Sequence, residues 1–350
     1  MSARVTMATL AQRLGVSVST VSNAFNRPEK LSPQLRAGIL RLADDLGYAG
    51  PDPLARSLRR RSTGGVGVVF TDEMSFAFTD PASAGFLAGV AESLMEADRH
   101  LVLIPAGSPD HHRTAPIDRA AVDGIILHSV PIAEPTLALL RRRGTAAVVV
   151  DQPDPIDGLG WVGLDEESDM RRVGAYLVEQ GHRRVGCITS RLGTTPYDGP
   201  AESRRVEHSR FSIPRHRIRG LEQGLRSSVI IEERWNVTRI DGFAAAKALL
   251  RRDPALTAIV CIADVYALGV LDWTRSRYID VPRHLSVVGH DDIPEAASAG
   301  LTTTRQPFRE KGQASAQLLL EVIADPAAAS QRLTLPTTLV RRSTSGPALL

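Results

Sequence analysis

A chain of 350 residues is too long for one typical hydrophobic core and calls for two or three domains; its 43% hydrophobic content and mean hydropathy of −0.08 describe a globular protein. With no uncharged apolar run of about 18 residues and no apolar signal-peptide core, membrane insertion and secretion are not expected, and a cytoplasmic protein is. The net charge of +3 conceals a division, because residues 1–62 carry ten arginines and lysines against four acids while the remainder is net negative, so a polyanion contacted by the head alone is expected.

The stretch from Thr6 to Asn26 reads as two short helices joined by a tight turn at Gly15, a helix-turn-helix. Leu10, Ala11 and Leu14 share a face of the first helix, and Val21, Ala24 and Phe25 share a face of the second. Ser17 is placed to cap the second helix. The outward face then carries Val18, Ser19, Thr20, Ser22 and Asn23, side chains short enough to reach base edges and phosphates in a major groove. Val18, Ser19 and Asn23 are the expected base readers, Val18 against a thymine methyl and Asn23 on an adenine edge. Thr20, Ser22, Asn26 and Tyr48 are expected to hold phosphates.

A third helix follows, with Ser32 as N-cap, Pro33 at its first position and Gly47 as terminator. Leu35, Ile39, Leu42 and Leu46 form the stripe that would lock the three helices together. After Tyr48 and a short loop, Asp52 and Pro53 restart a helix that runs to Arg61. This piece is too short to be stable in isolation and its three consecutive arginines repel one another, so it is expected to order on DNA.

At this point the chain resembles the lactose repressor, purine repressor and galactose repressor family of bacterial regulators. The resemblance rests on the headpiece followed by Ala55-Arg56-Ser57-Leu58. It implies that Leu58 wedges into the minor groove at the operator centre, where the hinge helices of two subunits lie side by side, in keeping with an apolar wedge kinking a duplex.

From Gly65 onward short apolar runs alternate with helical stretches: 65–70, 100–106, 123–129, 146–151, 184–190, 258–263 and 285–292 read as buried strands, and 82–97, 169–180, 217–226, 242–252 and 265–275 as helices. Such repetition means open α/β sheets, two of them at this length, with a ligand cleft beyond the carboxyl ends of the strands. The expected fold is an all-α helix-turn-helix headpiece (1–49), a hinge (50–63) and an α/β two-lobed core (64–350) of two doubly wound parallel sheets. Lobe one would comprise 64–162 plus 307–330, and lobe two 163–306 plus 331–345.

The resemblance continues through DGIIL, LVEQGHRRV, VYALG, VPRHLSVVGHDD and LTTTRQP, and implies an effector core similar to periplasmic sugar-binding proteins. It places Asp151, Arg217 and Asp291 where the family grips its small molecule, with Asp264 and Gln306 beside them. A guanidinium opposite carboxylates suits a polyhydroxylated or heterocyclic ligand. Each acid also reads as a helix cap or a hinge salt bridge, Asp264 above all. Phe76 and Phe78 are candidates for an apolar wall, or for plain packing. The chain departs from the family at Val237, where an aromatic often stands although Trp235 is near, at Ala263 in place of an asparagine, and in a longer 191–215 connection. A sugar, a sugar acid or a nucleoside suits the polar set that remains.

No catalytic chemistry is legible. His182 sits at a helix-to-strand turn without a nucleophile at motif spacing, and Gly64 to Gly67 precede their strand and make no dinucleotide fingerprint. Cys187 and Cys261 lie in apolar runs without metal-ligand spacing, so neither a metal nor a cofactor is expected. The expectation is therefore a non-enzymatic, sequence-specific DNA-binding regulator, a repressor, working as a homodimer on a near-palindromic operator under the control of a small-molecule effector. Without a heptad repeat after Arg342, a tail-driven tetramer is not expected.

Overall fold

The computed structural model describes residues 5–50, 62–70, 74–106, 117, 119–132 and 135–349. The expected hinge helix and its Leu58 lie outside the described residues. The chain divides into two compact units, 1–64 and 65–350.

In the first unit, α1 (Met7–Leu14) starts at a Thr6 capping box with Thr9 and ends on Gly15 in the left-handed region. Helix α2 (Val18–Asn26) is capped by Ser17, whose hydroxyl accepts from Thr20 N at 3.0 Å, and α3 (Pro33–Asp45) by Ser32. Their core is Leu10, Ala11, Val21, Ala24, Ile39 and Ala43. Phe25 and Tyr48 close it edge to face, with ring centroids 5.8 Å apart.

The second unit holds two sheets. The first has the order β12-β5-β4-β3-β1-β2, formed by β1 (Gly65–Phe70), β2 (His100–Pro105), β3 (Gly124–His128), β4 (Ala146–Val150), β5 (Gly160–Leu164) and β12 (Arg332–Leu335), all parallel. Alternate residues of its central strands enter separate cores, Val66, Ile126 and Val148 on one face and Val69, Ile125 and Val149 on the other. Burial on both faces is why these strands read as unbroken apolar runs.

The second sheet runs β13-β11-β10-β9-β6-β8-β7. It comprises β6 (Val185–Ser190), β7 (Gly199–Ala201), β8 (Ile230–Arg234), β9 (Ala258–Cys261), β10 (Ser286–Asp291), β11 (Thr302–Arg305) and β13 (Thr338–Val340). Its interior is parallel, and both edges, β7 and β13, are antiparallel. The expected lobe boundaries need one correction: residues 332–335, assigned to lobe two from sequence, pair with β5 on the edge of the first sheet. The chain thus crosses between the sheets three times, after β5, after β11 and after β12.

The helices are α4 (Phe76–Thr79), α5 (Pro81–Glu96), α6 (Pro135–Arg143), α7 (Glu166–Glu179), α8 (Ser203–Glu207), α9 (Ser212–Leu225), α10 (Arg239–Arg252), α11 (Asp264–Ser276), α12 (Pro294–Ser298) and α13 (Phe308–Ala324). Three helix pairs meet through glycines that leave no room for a side chain. A Cβ on Gly312 of α13 would lie 2.1 Å from Phe86 O of α5, one on Gly220 of α9 2.1 Å from Glu167 O of α7, and one on Gly269 of α11 2.1 Å from Arg239 O of α10. No helix among the described residues is long and apolar enough to cross a membrane.

Candidate functional site

The parallel strands of both sheets end at one cleft, which has two connected compartments. The inner one, about 180 Å³, reaches Asp151, Arg217, Asp291, Gln306 and Lys311, with Phe76, Phe86 and Phe308 as walls. The outer one, about 510 Å³, is lined by residues that include Arg191, Phe211 and Trp235. Phe76, Ser129, Gln152, Ser190, Pro214 and Val237 belong to both. Four residues at the strand ends adopt positive φ without being glycine: Ser129 (54°), Asp151 (65°), Asp291 (133°) and Asp292 (59°). Such backbone costs about 1–3 kcal/mol per residue and persists where its surroundings over-determine it. Asp151 N, for instance, donates to Val162 O at 2.8 Å, which turns its carboxylate into the cleft floor.

Two sets of polar contacts form that floor. Lys311, 3% exposed, donates to both Asp151 oxygens at 2.8 and 2.9 Å and to Gln306 Oε1 at 3.0 Å. Gln306 Nε2 donates in turn to Asp291 Oδ1 at 2.6 Å and lies 3.2 Å from His290 Nδ1. Arg217 closes the other end with a two-pronged pair to Glu166 at 2.6 and 3.0 Å and a bond to Ile262 O. Burial pushes the Glu166 carboxyl up, but the Arg217 charge and hydrogen bond outweigh it and hold the group below its ordinary value. Burial, reinforced by the positive charge of Arg217, holds His290 well below its usual range, so its ring is neutral.

Glu166, Asp169 and His290 bring one ligand atom each within 4.8 Å of the others, a spacing a metal ion could use. The hydrogen bonds argue against it. Both Glu166 oxygens serve Arg217, and because the Gln306 amide donates to His290 Nδ1, the imidazole hydrogen lies on Nε2 and no lone pair faces Glu166. His290 Nε2 is 3.7 Å from Glu166 Oε2, beyond hydrogen-bonding distance, so the chain of hydrogen bonds stops at the ring.

Of the residues expected at the effector, Phe76, Asp151, Arg217, Asp291 and Gln306 line the inner compartment together. Two do not. Phe78 is 65% exposed on α4, because a four-residue helix can turn only one of its two phenylalanines inward. Asp264 is fully buried and spent on structure, accepting from Thr303 Oγ1 at 2.6 Å and Ile293 N at 3.0 Å. Sequence reasoning passed over Lys311, Glu166 and His290. The available signal for Lys311 was its company: Gly312, Ser315 and Ala316 mark the tight face of α13 on which it lies.

On the headpiece, Val18 is 47% exposed at the first turn of α2, an unusual place for a valine unless something apolar meets it. Ser19 is exposed beside it, while Thr20, Ser22, Asn23, Asn26 and Tyr48 are half-buried. Asn26 turns back along its own helix, donating to Ser22 O at 3.0 Å and Ser22 Oγ at 3.2 Å.

Comparison with known proteins gives the context for this pairing of units. Residues 175–345 match the periplasmic binding protein-like domain. An HTH-type transcriptional regulator of Mycobacterium tuberculosis is 40% identical over 352 residues, covering 98% of each chain. A LacI-family transcriptional regulator from Corynebacterium glutamicum, of known structure, is 33% identical over 98% of each chain with a TM-score of 0.72. The solved complex of the regulator CelR with cellobiose is 26% identical, covering 97% of this chain and all of the other, with a TM-score of 0.68. These relatives are transcriptional regulators. The chain belongs to the LacI family of helix-turn-helix transcriptional regulators.

Proposed function

We propose that this transcriptional regulator is a homodimeric repressor, at work in the cytoplasm where its DNA lies, whose grip on a near-palindromic operator changes when a small molecule of the sugar or nucleoside class enters the cleft. In each headpiece α2 enters a major groove, with Val18, Ser19 and Asn23 toward base edges and Thr20, Ser22, Asn26 and Tyr48 toward phosphates. Leu58 is the minor-groove wedge between half-sites. In the cleft, Asp151, Arg217, Asp291 and Gln306 hold the effector against Phe76.

The observation that carries this reading is the union, in one chain, of a capped helix-turn-helix with a two-sheet core whose strand ends deliver Asp151 and Asp291 to one cavity. A solved relative with cellobiose supports the ligand class. Ligand and DNA are then linked reciprocally through the angle between the lobes.

Selection of bound duplexes from a random pool, at moderate ionic strength, tests it. Enrichment of a near-palindromic sequence is expected, with an affinity that changes when a sugar bound by the protein is added. No preference over random DNA, with or without any such sugar, overturns it.

A further inference from the structure

Resting on that reading of the cleft, we infer that Lys311 sets the charge class of the effector. It stands as a built-in cation where a ligand ammonium would otherwise settle beside Asp151, so the inner compartment takes an uncharged sugar and refuses its amino counterpart. Both members of the pair line that compartment, and neither side chain is more than 8% exposed.

An ammonium has three donors, and Lys311 Nζ has three acceptors within bonding distance: Asp151 Oδ1 at 2.8 Å, Asp151 Oδ2 at 2.9 Å and Gln306 Oε1 at 3.0 Å. It has no donor left for a ligand. Each carboxylate oxygen, by contrast, offers more than one acceptor site, so hydroxyls can still donate to Asp151. Lys311 is thus a positioning residue, which acts on the ligand through Asp151.

The place is a costly one for a lysine. It lies in the first turn of α13, where the helix dipole disfavours a cation, and it is buried, where an ammonium without a partner would be strongly unfavourable. A methionine of similar length would avoid both costs. What the lysine alone supplies is a counter-charge for Asp151.

The rest of the compartment is matched in the same way. Arg217 holds Glu166 through two hydrogen bonds, and Asp291 accepts from the Gln306 amide, its carboxyl raised to about 7 by burial against the opposing pull of Arg217. An ammonium entering here finds each acid already hydrogen-bonded and meets two cations, so its desolvation goes uncompensated. Hydroxyls, which both donate and accept, suit such a surface.

Calorimetric titration of the full-length protein tests this at pH 6.5, where a sugar amine is protonated and most of Asp291 is uncharged. The probes are matched pairs: D-glucose with D-glucosamine, D-galactose with D-galactosamine, and D-mannose with D-mannosamine. At least one neutral member is expected to bind wild type tenfold or more tightly than its amino counterpart. In Lys311→Met the ligand's own ammonium can pair with Asp151, so the ratio for that pair should invert. In the double variant Lys311→Met with Asp151→Asn no acid is left to receive it, and the neutral member should lead again. Should Lys311→Met fail to fold, Lys311→Gln, polar but uncharged, is read in its place with the same inversion expected. A purely structural lysine would weaken both members of a pair alike. Amino sugars that bind wild type as tightly as their neutral parents, a ratio that stays in the neutral sugar's favour once Lys311 is replaced, or an inversion that survives Asp151→Asn each overturns the assignment alone. No binding by any of these sugars overturns it together with the sugar-class reading beneath it.

Discussion

Lys311 and Asp151 hold each other inside the cleft, with Nζ 2.8 Å from one carboxylate oxygen and 2.9 Å from the other, and neither side chain is more than 8% exposed. Removing one member of a buried pair leaves the other charged without a partner, which destabilises by about 3–5 kcal/mol, whereas removing both is much milder. Lys311→Met should therefore lower the melting temperature sharply, and adding Asp151→Asn should recover most of the loss. Additive losses in the double variant, measured by thermal unfolding, would show that the pair is not coupled.

Asp264 and Asp291 give the core a pH dependence of definite sign. Burial raises both carboxyls to about 7, opposed at Asp291 by Arg217 and at Asp264 by Thr303 and the Ile293 amide, while Asp291 lifts Asp264 further. The folded chain therefore binds more protons than the unfolded chain across the window from about pH 4 to 7, and this contribution makes stability rise as pH falls through it. His290 and His182, held low by burial, act in the opposite sense below their ordinary value of 6.5. Comparing wild type with Asp264→Asn between pH 8 and 6.5 isolates the acid pair. Wild type should gain about 1 kcal/mol over the variant across that range; parallel curves would remove the pair from the account.

The glycine contacts predict opposite outcomes for the same substitution. Gly312→Ala would drive a methyl to 2.1 Å from Phe86 O, forcing α5 and α13 apart at a cost of about 1–3 kcal/mol. Gly38→Ala, in the middle of α3 with nothing within 4 Å, should stabilise the headpiece by about 0.5–1 kcal/mol. Chemical denaturation followed separately for the two units distinguishes them.

Asn23→Ala on α2 should weaken binding to the selected operator roughly ten- to hundredfold, the worth of one bidentate base contact, and relax the preference at one base position. Affinity for random duplex and for any sugar should stay within experimental error. An equal loss on operator and random DNA would make Asn23 a phosphate contact.

Much of this was legible in the sequence, for stated reasons. Unbroken runs such as residues 65–70 and 146–150 announce strands buried on both faces, and Ser17, Gly15 and Ser32 announce helix ends by chemistry that needs no tertiary partner. Strand β8 was missed because Ile230–Arg234 carries consecutive acids that look exposed. Both are buried and paired directly with arginines, Glu232 with Arg234 and Arg252 and Glu233 with Arg205. Strand β11 was missed because its three threonines read as a loop, yet Thr302 and Thr303 spend their hydroxyls on Arg342 O and Asp264. For Lys311 the small neighbours Gly312, Ser315 and Ala316 marked an inward face, but nothing local to α13 reveals that its partner is Asp151, 160 residues earlier.

The three passages of the chain between the sheets place a demand on any molecule that works this protein. Gln306 lies in one passage and Glu166 immediately follows another, so both sets of polar contacts on the cleft floor sit at the joints themselves. A body pivoting on three short straps moves least near the straps and most at its far rim. A shift of a few tenths of an ångström where a ligand presses would therefore become a displacement several times larger at the ends of the lobes remote from it.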